Sequence, residues 1–193
     1  MTVKLKNVRT PRALGCYVTL AKPRAMEVGK EPEYSLALLW DKTVDLTAVR
    51  AAIDEAAVSK FGPNAPKLLG GKLKSPFKDG DMKKDDDGNV DPVYKGKWYV
   101  NARSKTRVPL VDSTLATVDP NEVYSGCFFH AQLRFYPFDW KGQSKGVGCG
   151  LQNLMLVGKG KRIDGRETAE QAFRDFTPEV MDDTEGEVDD LLG

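Results

Sequence analysis

YSGCFFHAQLRFYPF, residues 124–138, decides the fold, because it reads as one long strand with two unlike faces. Successive side chains of a strand point to opposite sides. One side carries Cys127, Phe129, Ala131, Leu133 and Phe135, an apolar set that predicts a core face. The other carries Phe128, His130, Gln132, Arg134, Tyr136 and Phe138, which mixes aromatic, polar and basic groups. The second set suits neither a dry core nor an ordinary wet surface.

Working outward, KWYVNAR at 97–103 repeats the pattern. Trp98, Val100 and Ala102 point one way, and Lys97, Tyr99, Asn101 and Arg103 the other. Rings interleaved with cations are what stacking on bases and neutralising phosphates require. The alternative reading is a second, smaller core in which the rings pack beneath a loop. Further strands are expected at 3–9, 13–20, 34–40, 108–111 and 147–157, the second of these ended by Lys22-Pro23-Arg24. The 3.6-residue spacing of Leu46, Val49, Ile53 and Ala56 or Ala57 predicts one interior helix, with Asp45 as its N-cap and Gly62-Pro63 as its stop. A second helix is expected over 164–176, with Ala169, Ala172, Phe173 and Phe176 as its apolar side. Residues 62–96 show no apolar period and read as a long surface loop, functional or mobile. Gly146, Gly148 and Gly150 strip one face of the last strand of side chains, either to admit a backbone or base or to allow a tight bend. The residues alone predict a β-rich barrel or sandwich with insertions.

Charge divides the 193-residue chain unevenly. Residues 177–193, TPEVMDDTEGEVDDLLG, hold seven carboxylates and no cation. The rest sets 29 Lys and Arg against the 21 remaining of 28 Asp and Glu, a net +8. A basic body (1–176) with an acidic, disordered tail (177–193) suggests polyanion binding, with the tail competing for the same groove, recruiting a partner or serving solubility.

Several chemistries are excluded or disfavoured. There is one histidine, His130, and it has no nucleophile placed beside it, which points to a packing or base-contacting role. Three cysteines lie far apart with no Cys-x-x-Cys pair, which predicts reduced thiols and no zinc module. GKGKRIDG lacks the hydroxyl residue of a phosphate-binding loop. Asp79, Asp81 and Asp85 to Asp87 are the only candidates for a metal-dependent nuclease, and they fall in the lysine-rich loop rather than on rigid elements. No signal peptide or membrane span is legible, so the expected location is a cytoplasm.

The candidate interface follows from alternation and local charge. Tyr99, Phe128, Tyr136 and Trp140 are placed to stack on bases, and Arg103, Lys105, Arg107, Arg134, Lys141 and Lys145 to follow phosphates. In the tail, Asp182, Asp183, Glu185, Glu187, Asp189, Asp190, Leu191 and Leu192 are the candidate partner-binding residues. No metal, cofactor or catalytic residue is expected.

The sequence also resembles a family. Tyr124-Ser125-Gly126 and the aromatic strand after it, Lys145-Gly146-Val147, Gly150-Leu151-Gln152-Asn153, and Gly165-Arg166 leading into an Ala-Glu helix are similar to the Enterobacter-phage-type single-stranded-DNA-binding proteins. Lys78-Asp79-Gly80-Asp81 and GKWYVNAR fit the same pattern, so the resemblance covers most of residues 70–176. It implies an all-β protein with added helices: an OB-fold-like small barrel that coats single-stranded DNA in phage replication or recombination, without catalysis, in the host cytoplasm. It also implies that the tail recruits phage or host replication proteins. Such tails often end in an aromatic residue, whereas this one ends Leu191-Leu192-Gly193. A metal-dependent nuclease and a protein–protein adaptor are the alternatives, and monomer and homodimer stay equally open.

Overall fold

The computed structural model describes residues 5–25, 28–163 and 172–177. Its strands are β1 (Val8–Arg9), β2 (Ala13–Arg24), β3 (Glu33–Asp41), β4 (Phe77–Asp79), β5 (Lys97–Ser104), β6 (Leu110–Val111), β7 (Cys127–Trp140) and β8 (Ser144–Lys159), with helix α1 (Thr47–Phe61) between β3 and β4. The pairing order β7-β2-β3-β5-β8 returns to β7, because β7 and β8 also form an antiparallel hairpin. Strands β5 and β8 run parallel, joined at Arg103 and Gly150. This circuit of pairings, closed through one parallel contact, is OB-like. Strands β1, β4 and β6 are short additions at its margins.

The two-faced reading of β7 holds. Cys127, Phe129, Ala131, Leu133 and Phe135 are all buried, and they pack with Leu36, Leu38 and Trp40 of β3 and Val100 and Ala102 of β5. Helix α1 caps this core with Val49, Ile53, Ala56 and Ala57, the stripe its spacing predicts. The helix begins at Thr47, with Leu46 at the cap position. Asp45 still serves the start, since its Oδ1 accepts the Thr47 N–H at 2.9 Å.

The structure corrects several boundaries. Strand β2 continues through Lys22-Pro23 and still pairs Arg24 with Glu33. Proline is tolerated near a strand end, where no ladder bond is lost. Residues 62–96 are an ordered insertion. Phe77, Lys78 and Asp79 pair with Val100, Tyr99 and Trp98, and Lys74 bridges Gly146. Apolar periodicity misses such a segment because backbone hydrogen bonds to an open strand edge hold it. Lys42 anchors it further with ion pairs to Asp79 (2.7 Å) and Asp81 (2.6 Å). The helix expected over 164–176 lies mostly outside the described residues, as does the acidic tail beyond Thr177.

Candidate nucleic-acid interface

The outer face of the circuit presents its side chains in rows. Cross-strand partners share a face, so Thr19, Ser35, Arg103, Gly150 and Arg134 form one row across β2, β3, β5, β8 and β7. Four inter-strand steps make it about 19 Å wide. Two residues along, Cys16, Ala37 and Asn101 align on one side, and Gly148 pairs with Tyr136 on the other.

Tyr136 is 44 % exposed and lies flat across Gly148. A Cβ at Gly148 would stand 2.6 Å from the ring's Cζ. The bare glycine face therefore seats a side chain of the protein itself. At Gly146 a Cβ would meet the Lys74 backbone at 2.3 Å, so that glycine admits the inserted segment. The Tyr136 hydroxyl lies in the fields of Glu33, Arg103 and Lys105, and its pKa is raised, chiefly by burial. Arg103 lies 3.8 Å from Glu33, and Lys105 donates to Glu31 at 2.6 Å. That bond raises the Lys105 pKa and lowers that of Glu31. Arg134 projects from the same row, its Nε donating to Asn7 Oδ1 at 2.9 Å. At the β7–β8 turn, Trp140 is 64 % exposed beside Phe138 (ring centroids 5.9 Å apart), and Lys141 and Lys145 are exposed on either side.

Other expected positions do not join this cluster. Tyr99 is on the anticipated face but only 7 % exposed, because the insertion lays Tyr94 edge-on against it at 4.8 Å. A ring covered in this way has no free face for a base. With Cys16, Ala37, Leu39 and Tyr94 it forms a second small core, the alternative that the sequence left open. Phe128 lies eight residues from Tyr136 along β7, about 26 Å away if fully extended. Its half-buried ring carries the Arg12 guanidinium 5.3 Å from the centroid. Arg107 is exposed beyond β5, in the field of Asp119. His130 faces outward and meets the Thr10 carbonyl through Nδ1 at 3.0 Å.

The loop carboxylates are committed elsewhere. Asp79 and Asp81 hold Lys42, and Asp85 Oδ1 accepts the N–H groups of Asp87 and Asn89. Among the described residues, no group of three or more His, Cys, Asp or Glu could hold a metal ion. The cysteine thiols are buried, and burial pushes Cys16 up to about 12. No described helix is long and apolar enough to cross a membrane.

Sequence reasoning missed Glu31, Glu33 and Tyr17. Glu33 shares a face with Ser35 by alternation and so was readable in principle. Tyr17 was not, because the β2–β3 register shifts between Cys16 and Thr19 and breaks the count by twos.

Comparison with known proteins places this geometry in context. Residues 1–188 match the profile of the family described as the ssDNA-binding protein of Enterobacter phage Enc34. The p50 protein of Acyrthosiphon pisum secondary endosymbiont phage 1 is 27 % identical over 174 residues, covering 86 % of this chain and 88 % of p50. The single-stranded-DNA-binding protein of bacteriophage Enc34, solved in complex with ssDNA, superposes with a TM-score of 0.66 at 23 % identity, over 81 % of this chain and 89 % of that one. The bacteriophage T7 single-stranded-DNA-binding protein gp2.5 gives a TM-score of 0.57 at 15 % identity, over 90 % and 96 %. At these identities the two structures establish a shared fold.

Proposed function

The chain belongs to the Enterobacter phage Enc34 ssDNA-binding protein family, and from that premise we propose that it binds single-stranded DNA across the outer face of β5, β8 and β7, without catalysis and with little regard for sequence. The observation that most supports this is the grouping of Tyr136 with Arg103 and Lys105, flanked by Arg134 on the same row. A stacking ring beside cations is the arrangement that sequence-tolerant strand binding uses. Trp140, Lys141 and Lys145 extend the track to the hairpin tip. Glu31 and Glu33 partly neutralise it, so a phosphate that binds there displaces a carboxylate.

The test is fluorescence anisotropy on labelled single strands of about 30 nucleotides, longer than the 4–16 nucleotides one OB fold covers. Duplex DNA and RNA serve as competitors across a salt titration. Salt-sensitive binding poorly competed by duplex supports the reading. Absence of binding by the full chain and by a chain ending at Phe176 refutes it.

The proposal extends to phage DNA replication or recombination, and to residues 177–193. The seven carboxylates there complement the cationic face, so the tail competes with DNA for it or recruits replication proteins. Truncation after Phe176 should tighten DNA binding, most at low salt, where attraction between tail and face is least screened.

A further inference from the structure

Beside the interface is a cleft of about 280 Å³ between the irregular stretch of β2 and the inserted segment. Tyr17, Tyr94, Asp91, Ser125 and Ile163 line it. The Tyr17 backbone has φ of 49°, a left-handed conformation that aromatic residues seldom adopt, and its ring is 64 % exposed. The irregularity of β2 between Cys16 and Thr19 turns this ring outward, to the mouth of the cleft. The Tyr94 ring lies 6.3 Å from it at an interplanar angle of 31°, and Tyr94 is itself pinned against Tyr99. Lys83 Nζ stands 5.9 Å from the Tyr17 centroid and 5.2 Å from that of Tyr94. The Asp91 carboxylate, held by the Val93 N–H at 3.0 Å, faces the same space. Ser125 Oγ accepts the Val18 N–H at 3.3 Å, which leaves its hydroxyl proton free to donate.

The position is as informative as the chemistry. Tyr17 adjoins Cys16, at the β2 end of the row that continues through Ala37 and Asn101, and Tyr136 lies at the corresponding level of β7. Four strand spacings, about 19 Å measured along the curved sheet, separate Cys16 on β2 from Tyr136 on β7. We propose that this cleft is a nucleobase site at the far end of the DNA track, in which a single unstacked base lies against Tyr17 and Tyr94. Asp91 and Ser125 meet its polar edge, and Lys83 meets the phosphate of the same nucleotide. The proposal rests on the DNA-binding reading and adds the place where the strand leaves the face. Asp91 repels phosphate, so the group that enters is the neutral base. The volume falls just below the usual small-molecule range of about 300–1,000 Å³ and suits one ring system.

The test uses the full chain and its Tyr17→Gly and Tyr17→Phe variants. Glycine removes the ring and relieves the backbone strain, and a thermal melt at or above the wild-type temperature confirms folding. Tyr17→Gly should lower single-strand affinity about five- to 150-fold with an unchanged salt slope, since a ring carries no phosphate contact. Tyr17→Phe should keep nearly all of it. Photo-crosslinking of an oligonucleotide containing 5-iodouracil should label Tyr17 or Tyr94 in the wild type. Wild-type affinity in Tyr17→Gly, with crosslinks confined to Tyr136 and Trp140, overturns this site and leaves the DNA-binding reading intact. No DNA binding by any form defeats both.

Discussion

Alanine at position 148 isolates what one ring contributes. A Cβ there would stand 2.6 Å from Tyr136 Cζ and 2.8 Å from Cε2 and Oη. Carbon contacts settle near 3.5–4.0 Å, so the ring must retreat by about 1 Å. Gly148 is not among the positive-φ glycines, so its backbone accepts alanine. The ring is already 44 % exposed and can swing outward. The folding penalty therefore falls near the low end of the overpacking range, about 1 kcal/mol. Stacking depends more closely on ring position. Each stacked base is worth about 1–3 kcal/mol, so a displaced ring should weaken binding roughly five- to 150-fold. The assay is anisotropy on a labelled single strand at several salt concentrations, alongside a thermal melt. The slope of log affinity against log salt should not change, because no phosphate contact is touched. In a Tyr136→Ala background, Gly148→Ala should cost no further affinity, since the pair acts as one unit. Affinity within about a factor of two of wild type, or an equal loss in both backgrounds, would refute the argument that Gly148 matters by seating Tyr136.

Glu31→Gln should tighten DNA binding about two- to fivefold by freeing Lys105, and should steepen the salt slope by up to about 0.7, as read in the same titration. Phe129→Ala removes a fully buried ring between β7 and β2 and should destabilise the fold by about 3–5 kcal/mol in urea unfolding. The Lys42 clamp predicts a pH profile for the inserted segment. Asp79 and Asp81 have pKa values lowered from 3.8 by Lys42 and by backbone N–H groups, so the stabilisation they give is present above that value and is lost as pH falls through their lower folded values. Protection against hydrogen exchange around residues 77–96, corrected for the intrinsic pH dependence of exchange, should be steady from neutral pH down to about 5 and should fall below about 3.8, where an unpaired Asp is ordinarily half protonated. A Lys42→Met variant should be less protected than wild type at neutral pH and should converge with it at low pH, where protonation has already released the clamp.

A fold built on two long strands with a strict period of two is readable from the chain. Phe129, Leu133 and Phe135 had to share one side of β7, because burying them anywhere else would expose the rest. The α1 stripe is legible for the same reason at a period of 3.6. Arg103, Arg134 and Tyr136 were readable as outward-facing by the same count, though not as neighbours. That took the pairings Arg103–Gly150 and Gly150–Arg134, which join residues distant in sequence. Tyr99 shows the limit most clearly. Alternation placed it on the correct face, but only the insertion, which carries Tyr94 back over β5, determined that the face is covered there. Tyr17 marks the other limit, since a local break in register leaves no trace in residue order. Periodicity reports the side of a strand on which a residue lies, and that much the sequence determined by itself. What then lies over that side depends on contacts between segments far apart in the chain, whose energies no local pattern encodes, and only the tertiary structure decided it.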